Sequence, residues 1–206
     1  MNLKNFKLIL ASQSPNRKKI LDSLGIPFEV EISNYKEQKH DLPPNEYVLK
    51  NAEEKALEVS RRIQDRIIIG VDTIGAYLDF ILEKPENPAE SKKILKLLSD
   101  TTHEVYSGIC IIDSSTGRKM TSVETTKVKF AKLSNEEMDF YINSGEGSDK
   151  AAGFAIQGLG ALFIEKIEGD FYNVVGLPLF RLNKMLKTFG VDLLKLIEAN
   201  RNLINR

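Results

Sequence analysis

The sequence predicts an α/β protein. Three observations carry that expectation. From Lys7 to Leu98, short runs rich in Ile, Val and Leu alternate with segments of helical apolar spacing. From His103 to Lys132 the chain turns to Val, Ile, Thr and Tyr, as long antiparallel strands require. No internal repeat, low-complexity tract or composition shift divides the chain, so residues 1–206 read as one domain, with two lobes around a cleft.

Element by element, Lys7 to Ala11 reads as a short buried strand. Ser14 suits a helix N-cap and Pro15 the first helical position, with the helix running to Gly25. Pro27 to Ile32 is a second strand. After Pro43-Pro44 an amphipathic helix is marked by Val48, Ala52, Ala56, Val59 and Ile63. Arg66 to Thr73 is a buried strand that places Asp72 near its carboxyl end, Ile74 to Leu82 forms a hairpin turning near Asp79, and Ala89 to Leu98 is a Lys-faced helix. Within the His103–Lys132 pair, Asp113 to Gly117 supplies the polar turn. Ser134-Asn135-Glu136-Glu137 is a capping box opening a helix through Ile142, and Ser144 to Ser148 is a polar break. Beyond Phe163 to Ile167, a Gly169-Asp170 turn and Gly176-Leu177-Pro178, a helix runs towards Phe189 and another starts at Val191.

Composition narrows the function. The 29 Lys and Arg balance 29 Asp and Glu, so the long-range positive field expected of a duplex-DNA or anionic-membrane binder is missing. With no Trp either, stacking on single-stranded nucleic acid is disfavoured, and any anion site must be local. Cys110, the single cysteine, excludes an intramolecular disulfide and reads as a buried inert thiol. Neither a targeting segment nor about 18 consecutive apolar residues is visible, so a soluble protein of a reducing, cytoplasmic compartment is expected.

Four constellations carry chemistry. Ser12-Gln13-Ser14-Pro15-Asn16-Arg17-Lys18-Lys19 is a strand-to-helix junction that offers hydroxyls, free backbone N–H groups and cations, where anions bind readily; it also reads as an ordinary capped surface helix. Gly70-Val71-Asp72-Thr73 puts a carboxylate at a strand end, where it can hold a divalent cation or take a proton from water; a turn or cap would use the same residue. Lys55 and Lys84 are isolated cations that could meet phosphate or simply face water, and His103 could serve as a general acid or be structural. Asp149 to Ala161 embeds Asp149, Lys150 and Gln157 among glycines and alanines, which lets backbone approach a ligand closely while an amide reads a base edge. A tight connection explains the glycines but not the Lys and Gln.

Taken in order, these segments resemble the Maf family of nucleotide pyrophosphatases. The matching pieces are LILASQSPNRKKIL, EKA at Glu54 to Ala56, GVDT at Gly70 to Thr73, LEKP at Leu82 to Pro85, THEVYSG from Thr102 to Gly108, DKAAGFAIQGLGA, and GDFYNVVGLPL. The resemblance spans Leu10 to Leu179. It implies an extended mixed β-sheet flanked by helices, with an active cleft between two lobes, and a homodimer is common among such proteins. It also implies hydrolysis of a nucleoside triphosphate to the monophosphate and pyrophosphate with Mg²⁺ or Mn²⁺. By matching position, Asp72 resembles the family's proton acceptor and metal ligand, and Glu37 a metal-side carboxylate. Ser12, Arg17, Lys55 and Lys84 resemble its phosphate contacts, with Lys150 beside them in the same binding role.

Within the family, DKAAGFAIQG is similar to the branch acting on dTTP and UTP rather than on 7-methylated GTP, with Thr73 and Gln157 at its specificity positions. Asn16 departs from the pattern, standing where that branch usually has an arginine, so the substrate preference is expected to shift or broaden. The alternative function is a nucleotide-binding regulator of cell division with little turnover, which would share most of these residues.

Overall fold

A computed structural model describes residues 8–37, 41–78 and 80–204. Its centre is a mixed seven-stranded sheet, whose main path runs β2-β1-β3-β5-β6-β7 while β4 pairs with β3. The strands are β1 (Leu8–Ala11), β2 (Phe28–Val30), β3 (Ile67–Tyr77), β4 (Phe80–Leu82), β5 (Thr102–Asp113), β6 (Lys119–Phe130) and β7 (Ile164–Glu168). The helices are α1 (Pro15–Ser23), α2 (Pro44–Arg62), α3 (Pro88–Leu98), α4 (Asn135–Ser144), α5 (Phe171–Val175), α6 (Leu179–Thr188) and α7 (Leu193–Ile204).

β1 runs parallel to β2 and β3, because a helical crossover separates the strands of each pair. Beyond β3 every pairing is antiparallel. The strand alternation that divides side chains between the two faces is strict. Leu8, Leu10, Ile67, Ile69 and Val71 face a core shared with α1, α6 and α7, while Ile9, Ala11 and Ile68 face α2. A further apolar cluster, built from α3, α4 and the far ends of β5 and β6, fills the second lobe.

Two glycines set how closely α2 lies on the sheet. A Cβ on Gly70 would stand 2.2 Å from the Ala52 carbonyl oxygen, and one on Gly108 the same distance from the Val48 carbonyl oxygen. Only glycine lets helix and strand backbones approach so nearly. With Val48, Ala52, Ala56 and Val59 fully buried, the apolar stripe read from the sequence is the contact face.

Local signals account for most boundaries. Ser134 accepts from Glu137 N (3.2 Å) while Glu137 Oε2 accepts from Ser134 N (2.7 Å), the capping box read from the sequence, and Gly145 closes α4 at φ 73°. Two expectations are corrected. Thr73 does not end its strand: β3 continues to Tyr77, because β5 pairs with it from Ile67 through Ala76 and supplies partners well past the end of β1. The hairpin lies where expected, with Gly75 opposite Leu82, Tyr77 opposite Phe80 and Leu78 at φ 47°; Asp79, the expected turn residue, lies outside the described residues. Gly169-Asp170 is more than a turn, since Asp170 Oδ1 accepts from Tyr172 N (2.7 Å) and Asn173 N (3.3 Å) and so caps the extra helix α5.

Candidate active site

β1 ends at Ala11, opposite Gly70. Two residues further along β3, the sheet has lost its β1 neighbour, and this gap beyond the carboxyl end of a parallel strand is where α/β sheets bind ligands. Asp72 therefore occupies the functional end of the β1–β3 pair even though it lies in mid-strand. A cleft of about 850 Å³ opens there, large enough for a nucleotide. Its lining includes the Ala11–Arg17 junction, Gly176, Lys84 and residues of the Asp149–Gln157 segment.

Adjacent residues of β3 divide the site. Asp72 shares the face of Ile68 and Gly70 and meets α2; Thr73 shares the face of Val71 and meets α1. On the α2 side, Asp72 is 6% exposed. Lys55 Nζ lies 2.7 Å from Asp72 Oδ1 and 2.6 Å from Glu37 Oε1, so one ammonium bridges two carboxylates. Asn51, one helical turn before Lys55, donates from Nδ2 to Asp72 Oδ2 at 3.2 Å.

On the α1 side, Arg17 is 8% exposed and makes four bonds to the protein. Its Nε donates to Gly176 O (2.8 Å), Nη1 to Ser12 Oγ (2.9 Å) and Val71 O (3.0 Å), and Nη2 to Thr73 Oγ1 (3.0 Å). Burial pulls the guanidinium below its ordinary value, against the attraction of Asp72 and Glu37. Thr73 also shares a hydrogen bond with its cross-strand partner Ser107, Oγ to Oγ at 2.8 Å. Ser12 Oγ accepts from both Arg17 and Ser14 N, which directs its own proton elsewhere.

The structure thus brings Ser12, Asn16, Arg17, Glu37, Lys55, Asp72, Thr73, Lys84, Lys150 and Gln157 to one cleft. Lys150 pairs with Asp149, while Lys84 and Gln157 are exposed on the cleft wall. His103 is not among the lining residues. It is 1% exposed, packed against Phe130 and Phe154 with ring centroids 5.5 and 5.1 Å away, and burial lowers its pKa to about 4, so it is a neutral core residue. Cys110 is likewise buried, its thiol pushed up to about 12 chiefly by burial.

Reading the residues in order missed Asn51, Tyr35, Ser107 and Glu146. Asn51 carried a signal: it sits four residues before Lys55, beside the apolar stripe of α2, where an amide must have a partner. Glu146 carried none. Its two oxygens accept from Leu159 N and Gly160 N, both at 2.9 Å, and so fix the loop that bears Gln157.

Glu37 and Asp72 offer the hard oxygen donors that Mg²⁺ or Mn²⁺ prefers. Among the described residues no group of three or more His, Cys, Asp or Glu is placed to hold a metal. Among those residues, no helix is long and apolar enough to cross a membrane.

The chain is 46% identical over 187 residues to a dTTP/UTP pyrophosphatase of Bacillus cereus, covering 90% of this chain and 97% of that one. It is 45% identical, with the same coverage, to a dTTP/UTP pyrophosphatase of Bacillus anthracis. Among solved structures, a nucleoside-triphosphatase / dITP/XTP pyrophosphatase of Mycobacterium abscessus superposes with a TM-score of 0.43 at 15% identity, covering 62% of this chain and 76% of that one. The Maf-like protein model matches residues 7–189, from the first strand through α6 and so across every residue of the cleft described above; the chain belongs to the Maf family.

Proposed function

We propose that this chain hydrolyses nucleoside triphosphates, dTTP and UTP first among them, to the monophosphate and pyrophosphate. The observation that carries the reading is the Asp72–Lys55–Glu37 cluster at the open end of β1, inside a cleft of nucleotide size. The identity to dTTP/UTP pyrophosphatases supports the substrate class.

The chemistry follows from the parts. A water oxygen attacks the α-phosphorus, its proton passes to the Asp72 carboxylate, and the bond between the α-phosphorus and the oxygen bridging to the β-phosphorus breaks, with pyrophosphate leaving. Lys55, Lys84 and Lys150 neutralise charge on the phosphate oxygens, and the Ser12 hydroxyl donates to one of them. A divalent cation held by Glu37 and Asp72 would supply further neutralisation of the triphosphate charge. Arg17 keeps Ser12, Val71, Thr73 and Gly176 in register, leaving one N–H to turn towards ligand. Gln157, Thr73 and Asn16, all in the cleft lining, read the base.

The test is pyrophosphate release from a panel of ordinary and modified nucleoside triphosphates with Mg²⁺ or Mn²⁺ present. Release with dTTP or UTP preferred supports the reading. Tight nucleotide binding without release would replace it by a nucleotide-sensing regulator.

A further inference from the structure

We propose that Asn51 is a positioning residue for Asp72, and that Tyr35 braces it there. The proposal rests on the hydrolase reading above and adds a residue to its machinery.

Asn51 is fully buried on α2. A neutral amide is costly there unless each of its groups finds a partner. Its Oδ1 accepts from the Tyr35 hydroxyl at 3.2 Å, and its Nδ2 donates to Asp72 Oδ2 at 3.2 Å. Tyr47 also hydrogen-bonds with Asn51, which works against the rise that burial causes in its phenol. The carboxylate can only accept, so it leaves the amide one orientation: a flip would set carbonyl against carboxylate, and in the orientation observed the Tyr35 hydroxyl donates to the carbonyl left facing it.

The consequence concerns Asp72. Asn51 and Lys55 are one turn apart on α2 and take separate oxygens of the carboxylate, Oδ2 and Oδ1. With both oxygens tethered to one helix, and that helix seated on Gly70, rotation of the carboxylate about its Cβ–Cγ bond is arrested. Tyr35 and Glu37 both belong to the segment that follows β2. The Tyr35–Asn51 bond and the Glu37–Lys55 ion pair therefore tie that segment to the carboxylate by two parallel links. A leucine at position 51 would fill a similar volume on a helix that otherwise buries Val48, Ala52 and Ala56, so packing alone does not explain an amide.

The experiment compares Asn51→Leu and Tyr35→Phe with the natural protein by pyrophosphate-release kinetics and thermal melting. It also follows the ¹⁵N side-chain amide resonance of Asn51 in the natural protein, Asp72→Asn and Tyr35→Phe. Asn51→Leu is expected to lower kcat roughly 10- to 100-fold while KM for the nucleotide stays within about threefold, because the phosphate contacts are untouched. Tyr35→Phe is expected to produce a smaller drop of the same kind. The Asn51 amide protons are expected to exchange slowly and to shift in both Asp72→Asn and Tyr35→Phe. An unchanged kcat in a folded Asn51→Leu, or an amide resonance indifferent to Asp72→Asn, overturns the proposal. If the natural protein releases no pyrophosphate, the hydrolase reading fails, and the resonance alone decides whether Asn51 holds Asp72.

Discussion

Arg17 Nη2 donates to the Thr73 hydroxyl at 3.0 Å, joining the first turn of α1 to β3 at the floor of the cleft. Because the same guanidinium also holds Ser12, Val71 and Gly176, it fastens three separate segments around one planar group. Lysine has the charge but neither the fork nor the number of fixed donors. Arg17→Lys is therefore expected to leave several buried acceptors unpaired and to cost about 2–4 kcal/mol. For a chain of this size that lowers Tm by roughly 4–16 °C. Calorimetry checks it, and a variant melting with the natural protein would show that Arg17 serves the ligand rather than the scaffold.

Asp72→Asn keeps the shape of the side chain and removes both its basicity and its charge. Turnover is expected to fall by about a thousandfold or more, while the melt stays close to that of the natural protein, since Lys55 retains Glu37 as a partner. Rate and melt must be measured on one sample, and a folded, active variant would remove Asp72 from the proposed mechanism.

EDTA is expected to silence pyrophosphate release, and either Mg²⁺ or Mn²⁺ to restore it, because the two carboxylates that flank Lys55 are acceptors suited to a hard divalent cation. Rates that persist in EDTA and ignore added metal would exclude Glu37 and Asp72 as metal ligands.

Much of this site was legible in the sequence, and the part that was not has a physical explanation. The α2 stripe, the Ser134 capping box and the Ser14-Pro15 helix start are local signals, readable within a few residues. The place of Asp72 was legible only in part: it reads as the end of its own strand, whereas the end that matters belongs to β1, which stops opposite Gly70, and β3 runs on beside β5. A single sequence does not reveal where a neighbouring strand stops. Arg17 illustrates the other difficulty. Its sequence neighbourhood suggests an exposed basic turn, yet its partners at Val71, Thr73 and Gly176 lie 54 or more positions away, and only the fold brings them together.

His103 should make stability depend on pH. Burial lowers its pKa from 6.5 to about 4, so between those values the unfolded chain binds a proton that the native protein refuses. The stabilisation is fully present above pH 6.5 and is lost progressively as the pH falls towards 4, by an amount on the order of 3 kcal/mol. Among the described residues neither ring nitrogen has a hydrogen-bond partner, so His103→Leu gives up little in the native state. Melting curves from about pH 7.5 to about pH 4 are expected to fall less steeply for His103→Leu than for the natural protein. Parallel curves would assign the acid sensitivity to carboxylates instead.

Asn16 is the second residue of α1, half-buried on the cleft wall, next to an arginine that turns inward and spends most of its donors on the protein. Position 16 is thus the one of the pair placed to reach a ligand, and here it carries a short neutral amide. A long cation at that point would offer a charge-assisted contact to a phosphate or base carbonyl and would fill the space beside Gln157 and Thr73. Its absence is expected to weaken discrimination between pyrimidine triphosphates and their competitors by about 1–3 kcal/mol, roughly tenfold or more in the ratio of kcat/KM values. Asn16→Arg should recover that ratio without changing the melt, since the side chain borders open cleft rather than core. The measurement is kcat/KM for dTTP, UTP, CTP and GTP in both proteins. If the natural protein already selects dTTP and UTP sharply and Asn16→Arg leaves the ratios where they were, then selection rests on Gln157, whose loop Glu146 holds through the N–H groups of Leu159 and Gly160.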